Sequence, residues 1–495
     1  MIGSIVTTAK GHLQGTMEND ICVWRGVRYA KAPIDALRFR SPEPVEKWSG
    51  VLDAVEFGAF PPQPSKGAGI GKMDEDCLFL NIWSPRADDN KRPVMVWIPG
   101  GTYISDAGTA ARFSGQSLAK SGDVVVVSIN YRIGALGFLD FAGESEEFET
   151  NLGLRDQVAS LKWVKENIEV FGGDPENVTI FGELSGGSAV TTLLSVPSAK
   201  GLFQRAIADC PAPAFAVGKG SARKVSESFL QILGIGMDEI HRLKTIPVAD
   251  IIAASSQFQH ENAQVIPGSL LPFGPIVDGD FWPDYPLESI ISRNTEGIPL
   301  LIGISRDDTP LFGESDFLYN VTNAGSVGEM HENTEPEEKE WISKAYCSFS
   351  EKETLGIGCD GTYHIPSICF AEAYSRIEKT WMYRCDHKTE INRLDKWKAT
   401  PGLNRPFTFR TLGATLVKRI RSDRFRPTAH KASDRIRDHW VNFAKYGDPN
   451  PPEGEIWPKY KEANRYTMIF DKRDYIEKDP NGMIKLAGEG KEICK

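Results

Sequence analysis

The residues that bear most directly on chemistry stand in a short glycine-rich turn, FGELSGG, from Phe181 to Gly187. A segment rich in β-branched and aromatic residues, NVTIF, precedes the turn, and small residues that can start a helix follow it. Such a strand-to-helix elbow is the setting in which a hydrolase presents a nucleophilic serine at the tip. In this elbow, residues 182–187, the tip is Leu184, whose side chain has no nucleophilic atom.

Three apolar segments predict the parallel strands that would carry the elbow. RPVMVWIPGG ends in glycines, DVVVVSINYR is apolar enough to be buried on both faces of a sheet, and NVTIFGE leads into the elbow. Between the last two, apolar residues recur at helical spacing from Leu154 to Ile168. Strand, helix and strand in this order predict a right-handed parallel crossover. GIPLLIGISRD and TWMYRCD predict two further strands.

Length and composition favour one large α/β domain, residues 1–495, with a mainly helical insertion at 312–378. With 41% hydrophobic and 25% charged residues, the chain can bury a large core. Its formal net charge of −10 argues against a nucleic-acid partner, which needs a clustered positive field. The one basic run, Lys418 to Arg437, is interrupted by acidic and neutral residues, and we expect a solvated or salt-bridged helical face.

No segment predicts export or membrane insertion. The N-terminus lacks the pattern of a signal peptide, and the most apolar region, Val124 to Phe141, contains Asn130 and Arg132. The eight cysteines have no short repeated spacing, which indicates reduced, mostly buried thiols instead of a metal site or a disulfide framework. We therefore expect a cytoplasmic protein with no metal, no cofactor and no membrane contact.

Motifs in order along nearly the whole chain carry a family resemblance. They read GVRYAKAP, RFRSPEP, EDCLFLNIWSP, VMVWIPGG, INYRIGALGFL, NLGLRDQVASLKWVKENIEVFGGDPENVTIFGE, KGLFQRAI, GIPLLIGISRD and WVNFAKYGDPN. The set resembles the type-B carboxylesterase and cholinesterase family, in particular its para-nitrobenzyl-esterase-like members. The resemblance implies an α/β-hydrolase fold, with a large mostly parallel sheet, helices on both faces and helical insertions that form a gorge. Ligands of such sheets bind outside the carboxyl ends of the strands.

The resemblance also assigns the three catalytic positions. Hydrolysis in this family needs an elbow serine, a histidine base and a carboxylate that orients the histidine. The family elbow reads Gly-Glu-Ser-Ala-Gly-Gly, so Leu184 takes the place of the nucleophile. The acid falls at Asp308 in GISRDD, where the family has glutamate, and Thr309 follows where it has glycine. The histidine lies five residues before a Pro-Phe pair, which places Pro401 there.

The oxyanion hole is altered as well. Its family loop reads His-Gly-Gly-Gly, and the corresponding segment here is PGGT, so Gly100 and Gly101 remain while Thr102 replaces the third glycine. The losses concentrate where the family keeps its active site, whereas the scaffold segments are nearly intact. Two rescues of hydrolysis stay open: Ser185 as nucleophile if the elbow slipped by one position, and His387 as base, the other histidines being in segments typical of the surface or periphery.

These features favour a repurposed enzyme that binds a small, largely apolar molecule. We expect a non-hydrolytic step, such as cyclisation, isomerisation or elimination, with Asp308, Glu183 and Tyr103 as the catalytic candidates. A carboxyl in a dry pocket has a raised pKa and can exchange a proton near neutrality. The residues expected to contact the ligand are Leu184, Ser185, Gly100, Gly101, Thr102, Asp106, Thr309 and Pro401.

Two alternatives remain open from the sequence. One is a non-catalytic binding protein, similar to the cholinesterase-like adhesion molecules that lack the serine. The other is a carboxylic ester hydrolase with a rewired nucleophile or base. A closed apolar cavity would favour a small-molecule site, whereas a filled gorge with a large exposed apolar patch would favour a protein-binding role.

Overall fold

The computed structural model describes residues 2–64, 69–214, 216–261, 273–293, 297–306, 360–387, 409, 426–451, 453 and 456–482. The strands in this part of the chain are β1 Ile2–Thr7, β2 His12–Glu18, β3 Ile21–Arg28, β4 Val51–Asp53, β5 Phe79–Ser84, β6 Arg92–Ile98, β7 Val125–Ile129, β8 Gly173–Glu183, β9 Arg205–Asp209, β10 Val217–Gly218, β11 Ile276–Val277, β12 Leu300–Ser305, β13 Thr380–Cys385, β14 Tyr466–Phe470 and β15 Tyr475–Lys478. The α-helices are α1 Gln116–Gly122, α2 Gly134–Phe138, α3 Leu152–Asn167, α4 Ser185–Leu193, α5 Lys219–Leu233, α6 Val248–Glu261, α7 Pro286–Ile291, α8 Ile365–Tyr374 and α9 Arg426–Tyr446.

One large sheet runs through these strands in the order β1-β2-β3-β5-β7-β6-β8-β9-β12-β13-β14-β15. Its middle, from β7 to β14, is parallel throughout. The two flanks are antiparallel. β7 and β8 both pair parallel with β6, which confirms the predicted parallel relation of the strands on either side of α3. The five predicted strands are confirmed as β6, β7, β8, β12 and β13.

The side chains of the central strands alternate between two hydrophobic cores. Along β6, Val94 and Val96 belong to one core, and Met95 and Trp97 belong to the other. α3 and α4 contribute to the first core, and α1 and α9 contribute to the second. Because successive strand residues point to opposite faces, helices cover both faces of the sheet, as the resemblance implies. Burial of each large apolar side chain contributes roughly 1.5–3 kcal/mol.

A buried ion pair fixes the chain between β7 and α3. Asp156 is 0% exposed and accepts hydrogen bonds from the backbone N–H, the Nε and the Nη2 of Arg132, at 3.0, 2.8 and 2.7 Å. The Nη1 of Arg132 donates to the carbonyl of Arg40 at 2.8 Å. The carboxylate and the guanidinium are therefore both held by several hydrogen bonds, which a charged pair needs in order to be stable away from water.

A glycine in β12 makes room for a tyrosine that crosses the strand. Asp209, Gly303 and Tyr383 lie side by side in the parallel register of β9, β12 and β13. A Cβ atom on Gly303 would lie 1.9 Å from the Cζ of Tyr383, so any side chain there would displace the ring. The Tyr383 hydroxyl donates to the Asp209 carboxylate at 2.7 Å. Burial raises the pKa of Tyr383 well above its usual value, which keeps this donor protonated.

The cysteines fit the sequence expectation only in part. Cys22, Cys77, Cys210 and Cys385 are buried and form no disulfide. Cys369 is disulfide-bonded, so the expectation of reduced thiols was wrong at this position. The sequence analysis missed this bond because it looked only for a short repeated spacing of cysteines, and a single disulfide needs none.

Two further expectations can be compared with the described residues. In α9, Arg435 pairs with Asp474 and Arg437 pairs with Asp434, which confirms a salt-bridged helical face for this part of the basic run. In the expected insertion at 312–378, a π-helical turn, Asp360–His364, leads into α8, and residues 312–359 lie outside the described part. No helix within the described ranges is both long enough and apolar enough to cross a membrane.

Candidate functional site

The elbow at the carboxyl end of β8 is the centre of the candidate site. Leu184 has φ 54° and ψ −122°, and α4 begins at the next residue. A leucine in this region costs on the order of 1–3 kcal/mol, so the surrounding bonds must hold it there. Its N–H donates to the carbonyl of Asp209 at 2.9 Å, and its carbonyl accepts from the N–H of Ser188 at 2.8 Å. Leu184 therefore occupies the tip, as predicted.

Glycines let the elbow lie directly against the end of β6. A Cβ atom on Gly186 would lie 2.2 Å from the carbonyl oxygen of Ile98, and one on Gly182 would lie 2.4 Å from the carbonyl carbon of Gly186. A Cβ atom on Gly100 would lie 2.2 Å from the carbonyl oxygen of Glu183. A slip that placed Ser185 at the tip would bring Glu183 into the position of Gly182. Gly182 and Gly186 therefore hold Leu184 at the tip, and Ser185 is not the tip.

The loop that follows β6, residues 99–103, approaches the elbow through its backbone amides. Gly101, Thr102 and Tyr103 have successive positive φ angles of 136°, 54° and 59°. The N–H groups of Gly101 and Tyr103 both donate to the Oγ of Ser185, at 2.9 and 3.3 Å. The hydroxyl of Thr102 donates to the carbonyl of Gly101 at 2.7 Å. The structure thus brings Ser185 together with Gly100, Gly101 and the residues that follow them.

Two of the predicted catalytic residues are buried beside the elbow. Glu183 is the last residue of β8 and lies opposite Asp209 in the parallel register. Tyr103 packs edge-on against Phe138, with ring centroids 5.1 Å apart. Burial raises the pKa of Tyr103 well above its usual value, so the phenol stays protonated. Its hydroxyl makes no hydrogen bond to any residue that the structure describes.

Asp106, a predicted ligand contact, is held by its own neighbours. Its carboxylate lies 2.6 Å from the Nη2 of Arg112 and accepts from the N–H of Ala107 at 2.7 Å. Its backbone N–H donates to the side chain of Gln63 at 2.8 Å. This arrangement favours a role in shaping the loop over contact with a ligand. Asp308, Thr309 and Pro401 lie outside the described residues, and their assignments stay predictions.

His387, the alternative base, lies towards the far edge of the sheet. It follows β13, which β9 and β12 separate from the elbow strand β8. Burial lowers the pKa of His387, and the charged groups around it include Asp471, Arg435 and Asp474, which lie on α9 and on the turn between β14 and β15. These neighbours place the imidazole beside β14, three strands from the elbow, which speaks against its use as the base of a nucleophile there.

A histidine that the sequence assigned to the periphery is buried, so that expectation was wrong. His364 is 4% exposed, and its Nδ1 lies 2.6 Å from the Oδ1 of Asp360. One turn later, the Oγ of Ser367 donates to the carbonyl of Pro211 at 2.9 Å. Pro211 lies two residues after Asp209, whose carbonyl holds the elbow tip. The Asp-x-x-x-His spacing at the start of a helical segment was the available signal, since residues four apart share one helix face.

Metal binding has no support in the described ranges, where no three His, Cys, Asp or Glu side chains converge on one point.

A parallel sheet with helices on both faces, ending in a strained strand-to-helix elbow, defines the α/β-hydrolase fold. The chain belongs to the carboxylesterase family, whose model matches residues 3–483. It is 37% identical over 486 residues to the para-nitrobenzyl esterase of Bacillus subtilis (strain 168), with 97% of each chain covered. It is 29% identical over 491 residues to the phenmedipham hydrolase of Pseudarthrobacter oxydans, with 94% of each chain covered.

Solved structures show the same relationship. A PNB esterase superposes with a TM-score of 0.87 at 37% identity, covering 98% of this chain and 99% of its own. A carboxylesterase of Geobacillus stearothermophilus superposes with a TM-score of 0.86 at 35% identity and the same coverage. The predicted fold and family are confirmed.

Proposed function

We propose that this protein binds a small, largely apolar molecule at the elbow and catalyses a non-hydrolytic step, such as cyclisation, isomerisation or elimination. The observation that carries the proposal is the conformation of Leu184, with φ 54° and ψ −122°. The backbone that would present a nucleophile is kept, whereas the side chain on it has no atom that can attack an ester.

The sequence pattern supports the loss of serine hydrolysis at a second position. Counting back five residues from the Pro406-Phe407 pair gives Pro401 for the base position, and proline carries no titratable side chain. The three groups of a catalytic triad act as a unit, so the absence of two of them leaves only the weak residual catalysis of the surrounding site. Asp308 keeps a carboxylate at the third position, which makes it the first choice for a group that exchanges a proton with the ligand.

The chemistry around the tip supports an apolar ligand and proton transfer. Leu184 replaces a polar tip with an aliphatic one, and the para-nitrobenzyl group in the name of one relative is itself small and largely apolar. Glu183 precedes the tip, and the His364–Asp360 pair stands on the helical segment packed against the loop that holds it. A carboxyl group and a histidine–carboxylate pair are the groups that most often act as general acids and bases.

The first test asks whether a nucleophile is present. The purified protein should release no para-nitrophenol from para-nitrophenyl acetate, and a fluorophosphonate probe should not label it, with an active bacterial para-nitrobenzyl esterase as the positive control. Leu184→Ser alone should stay inactive because no base is supplied, while Leu184→Ser with Pro401→His should gain weak activity. Stoichiometric labelling of the unmodified protein at Ser185 would instead establish a rewired hydrolase.

The second test separates an enzyme from a binding protein. Isomerisation and cyclisation keep the mass of the substrate, so products are sought as new chromatographic peaks of unchanged mass after incubation with small apolar compounds. Asp308→Asn should lower turnover of such a compound by about 10²-fold or more while its affinity changes little. Asp280→Asn, an exposed carboxylate far along the chain from the elbow, is the matched control. Binding without any product would favour the non-catalytic alternative.

A further inference from the structure

The hydroxyl of Ser185 lies next to the elbow tip and accepts hydrogen bonds from backbone amides of the loop after β6. Ser185 is the first residue of α4 and is 2% exposed. Its Oγ accepts the N–H of Gly101 at 2.9 Å and the N–H of Tyr103 at 3.3 Å. The two amides are therefore engaged by a side chain of the protein itself.

The hydrogen-bond capacity of the hydroxyl decides where its proton goes. A serine hydroxyl has two acceptor lone pairs and one O–H donor. The two amides use both lone pairs, so the O–H must be directed away from Gly101 and Tyr103. Among the residues that the structure describes, no acceptor receives this proton. Because a buried donor without a partner is unfavourable, a ligand that supplies an acceptor here binds more tightly.

The surroundings make this hydroxyl a better donor than an ordinary serine. Two N–H groups that donate to an oxygen polarise its own O–H bond, and chains of hydrogen bonds strengthen one another in this way. The N-terminus of α4 adds a positive partial charge at the same point. The hydroxyl hydrogen of Ser185 therefore carries the positive partial charge towards a ligand, one hydroxyl group further out than the loop amides.

The charges nearby select the kind of acceptor. Glu183 is 1% exposed and directly precedes the tip, and the buried Asp209 lies opposite it in the sheet. When ionised, these carboxyl groups repel an anionic ligand in a medium of low dielectric constant, and when protonated they give it no counter-charge. The aliphatic side chain of Leu184 favours an apolar body. A neutral carbonyl on a largely apolar molecule satisfies both conditions.

We propose that the hydroxyl of Ser185 donates a hydrogen bond to the carbonyl oxygen of a neutral, largely apolar ligand, and that it thereby replaces the backbone amides as the carbonyl-binding group of the site. This inference rests on the proposed function, because it assigns the ligand class and the binding group of the same elbow.

The experiment compares a ketone with its hydrocarbon analogue. Affinities of acetophenone and ethylbenzene are measured for the full-length protein and for Ser185→Val, Ser185→Thr and Thr191→Ala. Valine has the shape of threonine and still covers the amides of Gly101 and Tyr103, but it lacks the hydroxyl, so the preference for the ketone should fall about 3- to 10-fold in Ser185→Val, the range expected for one hydrogen bond. Ser185→Thr keeps the hydroxyl and should keep the preference. Thr191→Ala removes a buried hydroxyl of the same helix that donates to the Ser188 carbonyl, and should leave the preference unchanged.

Infrared spectroscopy gives a second readout that is independent of folding stability. Acetophenone isotope-labelled at its carbonyl carbon should show a carbonyl stretch lowered by hydrogen bonding in the unmodified protein and in Ser185→Thr, and a stretch close to its value in a hydrocarbon solvent in Ser185→Val. An unchanged stretch in Ser185→Val would overturn the proposal, whichever group then supplied the bond. Equal affinity of the unmodified protein for both compounds would overturn it as well and leave the proposed function intact. Failure to bind either compound would count against the proposed function itself.

Discussion

Two polar clusters near the carboxyl edge of the same sheet differ in how completely they are satisfied. Beyond β7, Arg132 and Asp156 form several hydrogen bonds to each other, and Arg40 accepts a further one. At the end of β8, Ser185 accepts two amide hydrogens, and no acceptor among the described residues receives its own proton. The first cluster closes on itself and holds the chain in place. The second needs an acceptor from outside the described part of the chain.

The backbone around both clusters contains residues with positive φ angles. Around the ion pair these include Asn151 at the start of α3, with φ 57°, and Phe39 beside Arg40, with φ 62°; the side-chain amide of Asn151 donates to the carbonyl of Ile276 at 2.7 Å. Around the elbow, Thr102, Tyr103 and Leu184 all have positive φ angles. Strained residues persist only where the surrounding structure holds them, and they concentrate at functional sites.

The largest loss of stability should come from removing one partner of the Arg132–Asp156 pair. Asp156→Ala leaves the buried Arg132 without its partner and should lower the free energy of unfolding by about 3–5 kcal/mol. Urea denaturation followed by circular dichroism measures the loss. The double variant Arg132→Met with Asp156→Leu should recover a large part of it, because no unpaired charge remains. A loss below about 1 kcal/mol in Asp156→Ala would contradict the view that this cluster stabilises the fold.

Substitutions of Leu184 at the strained tip should have an intermediate effect on the free energy of unfolding, and the order of glycine and alanine should be unusual. Leu184→Ala should cost about 2–5 kcal/mol through lost burial, whereas Leu184→Gly also relieves backbone strain and should be more stable than Leu184→Ala by about 1–2 kcal/mol. Leu161, buried inside α3, is the matched control, because glycine there should be less stable than alanine by about 1 kcal/mol. The same order of glycine and alanine at both positions would show that the elbow is not strained.

The hydrogen bonds of Ser185 to Gly101 and Tyr103 should contribute little to stability. Ser185→Ala removes one acceptor from the amides of Gly101 and Tyr103, but Gly101 and Thr102 are only partly buried, so water can reach the loop. The free energy of unfolding should change by less than about 1.5 kcal/mol, clearly below the effect of Asp156→Ala. Thermal and urea denaturation of the two variants side by side check this order. A loss as large as that of Asp156→Ala would make Ser185 a structural residue and erase the contrast.

The smallest effect is a pH dependence outside both clusters. Burial lowers the pKa of His387 below its usual value of 6.5, although Asp471 and Asp474 nearby oppose the shift, while Arg435 and Lys472 reinforce it. The unfolded chain therefore binds a proton more readily than the folded one, and stability is lost as pH falls below that value. Between about pH 7.5 and about pH 5.5, His387→Gln should lose less stability than the unmodified protein, by under about 1 kcal/mol. Equal pH profiles would show that the histidine is solvated.

Sequence patterns predicted the scaffold because it depends on periodic burial. The strands β6 to β8 and the helix α3 follow directly from runs and spacings of apolar residues. The antiparallel flank was not assigned from such patterns, since strands such as β2, HLQGTME, mix polar and apolar residues. The elbow tip was also predictable, because Gly182 and Gly186 stand where close backbone contacts exclude side chains.

The missing parts of the site depend on contacts between distant segments. The bond from Gly101 to Ser185 joins residues 84 positions apart, and it depends on the path of a loop with three successive positive φ angles. The sequence shows Ser185 where the family has alanine, but it does not show which group forms a hydrogen bond with this serine. His364 was misplaced because α8 is buried around nearly its whole circumference and so lacks the one-sided pattern of a surface helix.

The tyrosine that crosses β12 has a consequence for the order of folding. Asp209, Gly303 and Tyr383 are separated by long stretches of chain, and the bond between the first and the last forms only when three strands have paired in register. Contacts between residues so far apart in sequence carry a large loop-closure entropy and tend to form late. The hydrogen bond between Tyr383 and Asp209 therefore contributes little to the folding nucleus, and it slows unfolding. It joins β9, whose end supports the elbow tip, to β13, so this kinetic protection falls on the strands beside the site.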